Sequence, residues 1–225
     1  MKRAMALVLL MASPVLAAPK DAAKKALQEL GDFVGGWKGA GGHKLSPGPR
    51  DKSWDETVQW GWKFKGDDCW MVVEFKGGKF LKSAELRYDV AKKKYVLTGT
   101  LPDGKTKSVF TGKFDDDKLT FEGDDEDKGK LRLRINTAAE GIRLVYIVES
   151  KKGTIWKPEF ALAATKEGES LTKKEKGPEC VVSGGRGTST VSYMGETFYI
   201  CCSGCADAFK ENPKKYVDEF KAKKK

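Results

Sequence analysis

The sequence predicts a mainly β fold: a closed antiparallel up-and-down barrel followed by a small α+β module rich in cysteine. Three observations predict it. From about Asp32 to Thr165, short β-rich runs alternate with turns built from Gly, Asp and Pro. After Thr165 the chain becomes polar, lacks aromatic residues and reaches a Gly-Pro step. Beyond that step, four of the five cysteines gather between Cys180 and Cys205.

The first residues, "MKRAMALVLLMASPVLAAPK", place Lys2 and Arg3 ahead of an apolar run too short to span a bilayer. Small residues follow at Val15-Leu16-Ala17. This is the pattern of a secretory signal peptide over residues 1–17, cut after Ala17. It implies an exported chain, periplasmic or secreted, and no later segment reaches transmembrane length. Residues 18–31 read as a helical lead-in. The net charge is +10, yet most basic residues are Lys with Asp or Glu nearby and no Arg-rich stripe occurs. Such a surface is solvated and is not that of a nucleic-acid binder.

Residues 32–166 form the predicted barrel. Runs such as "CWMVVEF", "KYVLTGTL" and "IRLVYIVES" are separated by turn signals such as "KGDD", "PDGK" and "KKG". In "KLRLRIN", Leu131, Leu133 and Ile135 face one way and Lys130, Arg132 and Arg134 the other. A long meander of this kind has exposed edges unless it closes, which favours a barrel of roughly eight to ten strands over an open sandwich. Such a barrel can enclose one small apolar molecule. Trp54, Trp60, Trp62, Trp70 and Phe75 are candidates to line or cap that space, and equally candidates for packed core and end plugs. Cys69, at a strand start, reads as an unpaired thiol. The acidic turns Asp115–Asp117 and Asp124–Asp127 lack the spacing of a calcium loop.

The barrel opens with "FVGGWKGAGGH", in which Gly35, Trp37, Gly39 and Gly41 stand in the order G-x-W-x-G-x-G. This resembles the start of calycin-type barrels, most closely the nitrobindin-like and lipocalin-like domains. The resemblance implies that the glycines let the first strand bend and that the Trp plugs one end. Nitrobindin-like proteins hold haem through a histidine on a late strand. The single histidine here, His43, lies beside the first strand, so haem is not expected.

Residues 167–178 read as a linker, 179–221 as the cysteine module and 222–225 as a basic tail. "TSTVSYMG" and "ETFYI" form a hairpin, and two short helices follow, "SGCADAFKEN" and "PKKYVDEFK", the second with Pro213 at its first position. The cysteine spacing is C-x20-C-x3-C for Cys180, Cys201 and Cys205. A hairpin returns the chain to its start, so Cys180 can approach Cys201, and Cys205 faces back from the helix start. Converging thiolates suit a soft metal ion such as zinc or copper. A helix N-terminus also favours the thiolate form. In an oxidising compartment a Cys180–Cys205 or Cys180–Cys201 disulfide is the alternative, and redox chemistry a third.

The segment from Cys180 to about Phe220 resembles the YHS domain, one of the TRASH-like cysteine-rich modules. The resemblance rests on the "C-x-x-S-G" opening, the "Y-x-G-x-x-F-Y" hairpin, the "C-C-x-x-C" knuckle and "F-x-x-x-P-x-x-Y". It implies metal ligation by Cys180, Cys201 and Cys205. Ser183 stands where many members carry a further cysteine; Cys202 is the substitute for that fourth ligand, with water, a substrate thiol or a partner protein as alternatives. No Ser-His-Asp set, histidine base or carboxylate pair with catalytic spacing is present. The expected function is therefore non-enzymatic: a barrel carrying a module that binds a soft metal. A carrier of a small apolar ligand, with a merely structural cysteine module, is the alternative.

Overall fold

The computed structural model describes residues 19–43, 52–125, 128–168 and 177–224. The residues expected to form a signal peptide, most of the expected linker and part of the acidic turn Asp124–Asp127 fall outside the described residues. A helix α1 (Pro19–Gln28) and a 3-10 turn (Gly31–Phe33) lead into β1 (Gly35–Gly42). Nine further strands follow: β2 (Ser53–Lys65), β3 (Asp68–Lys76), β4 (Ser83–Asp89), β5 (Lys94–Thr100), β6 (Lys107–Asp115), β7 (Lys118–Asp125), β8 (Gly129–Ala138), β9 (Arg143–Lys152) and β10 (Ile155–Lys166). They pair in sequence order, and β1 closes the ring against β10. The expected up-and-down barrel is thus formed, with ten strands.

Side-chain alternation builds the wall. On β8, Leu131, Leu133 and Ile135 are buried inside, while Arg132 and Arg134 point outward onto Glu149 of β9. Arg132 Nε donates to Glu149 Oε2 at 2.7 Å and Arg134 Nε at 3.0 Å. Burial raises the Glu149 carboxyl, but hydrogen bonds from both guanidiniums outweigh it and the net shift is downward. The close seam between β1 and β10 depends on glycine: a side chain at Gly39 would collide with the Ala163 carbonyl.

The lower end of the barrel is plugged as the first-strand motif implies. Trp37 is fully buried, and its indole N–H donates to the Phe33 carbonyl at 2.8 Å. Lys166 lies over the ring, 4.9 Å from its centroid, and donates to the Asp32 carbonyl. Leu27, Leu30, Phe33 and Trp60 complete this plug, with Phe33 and Trp60 rings 5.3 Å apart.

Side chains also fill the interior. Trp60 and Trp62 are core residues, each only 1% exposed. Phe75 shares with Phe80, Leu81, Leu133, Ile135 and Tyr146 a cavity of about 10 Å³, no more than a single water needs. Trp70, grouped with these residues by sequence, projects from the outer wall instead, because it is offset by one from the inward-facing Cys69 and Met71. Its ring stacks under the Arg87 guanidinium at 4.2 Å. Trp54 sits half-buried at the upper end, donating to Glu56 Oε2 at 2.8 Å. His43 is exposed there, with Nδ1 3.1 Å from the Glu159 carbonyl and its ring near Trp54 and Phe160.

Two predictions follow from this packing. Trp37→Ala removes a fully buried ring and lowers stability by about 3–5 kcal/mol, read from denaturant unfolding. An unchanged midpoint would show that the plug is dispensable. Glu56, buried inside the barrel, is held above the ordinary glutamate value of 4.5 by desolvation, against hydrogen bonds from Tyr146 and Trp54. The native state therefore keeps its proton longer than the unfolded chain does. This contribution to stability is complete below pH 4.5 and is lost as pH rises through the folded value. Thermal unfolding of Glu56→Gln compared with wild type should show a difference that grows in favour of Gln as pH increases from 4.5. A difference constant with pH would refute the assignment.

Candidate metal centre

Among the described residues no helix is long and apolar enough to cross a membrane. The module follows the barrel in sequence. It consists of a hairpin, β11 (Ser189–Tyr193) and β12 (Glu196–Ile200), and two helices, α2 (Ser203–Glu211) and α3 (Pro213–Lys223). Tyr193 pairs with Glu196, leaving Met194 and Gly195 as a two-residue turn with φ of 50° and 81°. That is the left-handed pair a tight hairpin requires. Pro213 opens α3, and the Asn212 side chain caps it by accepting from the Lys215 N–H at 3.2 Å. The helix runs on to Lys223, so the basic segment 222–225 begins as helix.

Each cysteine is placed by local backbone bonding. Cys180 lies beside β12, bridged in parallel to Tyr199, with Val181 N–H donating to the Tyr199 carbonyl at 2.8 Å. Its loop turns back at once: Cys180 N–H donates to the Gly185 carbonyl at 2.6 Å, and Gly184 N–H to the Cys180 carbonyl at 2.9 Å. Cys201 follows the end of β12, Cys202 occupies the N-cap position of α2, and Cys205 lies in its first turn. The hairpin thus brings the distant Cys180 to the knuckle, as the spacing predicts.

The sulfur atoms of Cys180, Cys201 and Cys205 all lie within 4.8 Å of one another, and all three residues are buried. The Cys201 and Cys205 sulfurs are 3.5 Å apart. Two thiolates on a tetrahedral zinc stand about 3.8 Å apart, given Zn–S bonds near 2.3 Å. The donor set therefore fits a soft ion. Ser183 is also buried and its hydroxyl lies 3.2 Å from Cys201 Sγ.

Cys202 lies outside this trio. Adjacent strand residues point apart, but the strand has ended at Ile200, and the Cys202 sulfur comes within 3.9 Å of Cys201 Sγ. On its other side it accepts the Trp62 backbone N–H of β2 at 3.4 Å. The thiols form one proton-sharing cluster: S–H donation from Cys201 lowers Cys180 and Cys202, while Cys201 and Cys205 are pushed up, chiefly by their bonds to Cys180. Cys69 takes no part. Burial raises its thiol to about 11, leaving it protonated and inert at neutral pH.

Residues of α1 and the barrel hold the cysteine cluster from outside the module. Gln28 of α1 donates to the Ser183 carbonyl at 2.7 Å, clamping the Cys180 loop. Gly204 abuts the Trp62 carbonyl so closely that any side chain would collide with it. Ion pairs Lys24–Glu219 and Lys215–Asp67, at 3.3 and 3.1 Å, join the two parts at the surface. Sequence reasoning missed Gln28 and the Trp62 main chain. A helical glutamine carries no distinguishing signal, and a main-chain donor carries none at all.

Residues 186–219 match the YHS domain. The match includes Cys201, Cys202 and Cys205 and begins after Cys180, which the fold alone returns to the knuckle. No curated protein matches the chain at a significant level. Among solved structures, the chain is similar to that described as the crystal structure of Rv2717c from M. tuberculosis. The two are 19% identical, with a TM-score of 0.39, over 63% of this chain and 97% of that one. The chain thus carries, behind a closed ten-stranded barrel, a C-terminal segment that matches the YHS domain.

Proposed function

We propose that the protein is an exported, non-enzymatic metal-binding protein, in which Cys180, Cys201 and Cys205 hold one soft ion and the barrel is the scaffold. The observation that carries this reading is the convergence of three buried sulfurs from two segments of chain. Buried thiolates without a countercharge are costly, and a cation at their centre offsets that cost. Zinc and copper(I) both suit such a donor set. Metal handling, as a buffer or chaperone, is the role most in keeping with a donor set that, among the described residues, consists of cysteines alone. The signal-peptide pattern of residues 1–17 supports export.

The full chain, purified under reducing conditions, should bind one zinc or copper(I) per molecule. Replacing Cys180, Cys201 or Cys205 singly by Ser should weaken binding beyond the roughly 10–100-fold typical for loss of an outer-shell partner. Metal-free wild type with its cysteines bridged would sink the reading. Because protonated thiols must release their protons to bind, affinity should increase with pH and binding should acidify a weakly buffered solution. Binding without proton release would show that thiolates are not the ligands. Mass spectrometry of protein recovered from an exporting host should find Ala18 as the first residue. A chain still beginning at Met1 would remove the argument for export.

A further inference from the structure

Strand β2 has thirteen residues and β1 has eight. Their pairing runs from Ser53 to Trp60 on β2, so Gly61–Lys65 have β3 on one side and no β1 on the other. The N–H of Trp62 on that open side would lack a strand partner. It donates instead to Cys202 Sγ at 3.4 Å, and the neighbouring Gly204 rests on the Trp62 carbonyl. The knuckle is therefore seated on barrel backbone at the point where the barrel needs a partner.

We propose that Cys202 is a positioning residue of the metal centre and not one of its ligands. Its sulfur takes the Trp62 N–H, and this bond fixes the knuckle so that Cys201 and Cys205 face Cys180. The inference rests on the metal-binding reading above. Three features support it. Cys202 stands outside the group whose sulfurs are mutually within 4.8 Å. Its sulfur already has a main-chain donor from another element. Gly204, two residues on, permits the same close approach only because it lacks a side chain. By tying Cys202 to β2, this bond fixes the short segment that also carries Cys201 and Cys205, and groups outside the ligand set orient ligands in this way.

The test compares full-length wild type with Cys202→Ser, Cys202→Ala, Gly204→Ala and Cys205→Ser. Three readouts are taken: zinc affinity by chelator competition, zinc–sulfur coordination number by X-ray absorption, and hydrogen exchange at the Trp62 amide. Serine retains an acceptor for the Trp62 N–H and alanine does not. Wild type and Cys202→Ser should both show three protein sulfurs on zinc, with affinities within about threefold. Cys202→Ala and Gly204→Ala should lose roughly 10–100-fold and expose the Trp62 amide to exchange. Barrel tryptophan fluorescence verifies that each variant is folded. Four sulfurs in wild type, with Cys202→Ser as damaging as Cys205→Ser, would make Cys202 a ligand and overturn the inference. Wild-type affinity in Cys202→Ala would overturn it too. If wild type binds neither zinc nor copper(I), the metal reading fails. If the Trp62 amide exchanges freely in wild type, the positioning bond fails, whatever the metal result.

Discussion

The mismatch in length between two neighbouring strands governs how the two parts of this molecule meet. Strand β2 continues past the end of β1, so a stretch of barrel edge faces outward without a strand to pair it. A buried main-chain donor left unpaired costs about 1–3 kcal/mol. An exposed ion pair such as Lys24–Glu219 contributes about 0–1 kcal/mol. The backbone requirement therefore outweighs the surface charges in fixing the module, and the ion pairs across the seam refine a geometry already imposed. The knuckle that meets this requirement is the same short segment that carries Cys201, Cys202 and Cys205.

The cysteine cluster consequently lies in the module, next to the seam, and not inside the barrel. One end of the barrel is closed by Trp37, the 3-10 turn and Trp60, and side chains such as Phe110, Phe121 and Leu133 are buried in the interior. The upper end holds Glu56 between Tyr146 and Trp54. A closed barrel with a filled interior is stiff, because every strand is paired on both sides over most of its length. Stiffness is useful in a scaffold whose main chain orients sulfur atoms on an adjoining domain. The module adds Phe198, Ile200, Phe209, Tyr216 and Val217 to the same hydrophobic cluster as the barrel, with the Tyr216 ring 6.3 Å from Phe64 of β2. The loop bearing Cys180 is pinned from the barrel side by Gln28.

Much of this was legible from residue order. The alternation at Leu131, Leu133 and Ile135 identified an inner and an outer face, and both are found where expected. Turn chemistry separated the strands and located the hairpin turn at Met194-Gly195-Glu196, which the structure narrows to Met194 and Gly195. The C-x20-C-x3-C spacing foretold that Cys180, Cys201 and Cys205 would converge. Trp70 was less legible. Its strand, "CWMVVEF", is apolar on both faces, so composition does not say which residues look inward. A shift of one residue exchanges inside for outside. The placement of Cys202 was also illegible, since its sulfur is directed by a helix start and by a main-chain group from a strand 140 residues away.

By itself, then, the sequence determined the periodicities, the turns and the set of thiols available, because these depend on neighbours along the chain. Tertiary structure decided which thiols share a centre and which one leans on the barrel. It did so through the registers in which β1 meets β2 and β10. Those registers set where the barrel edge stays open, and the open edge selected the sulfur that closes it.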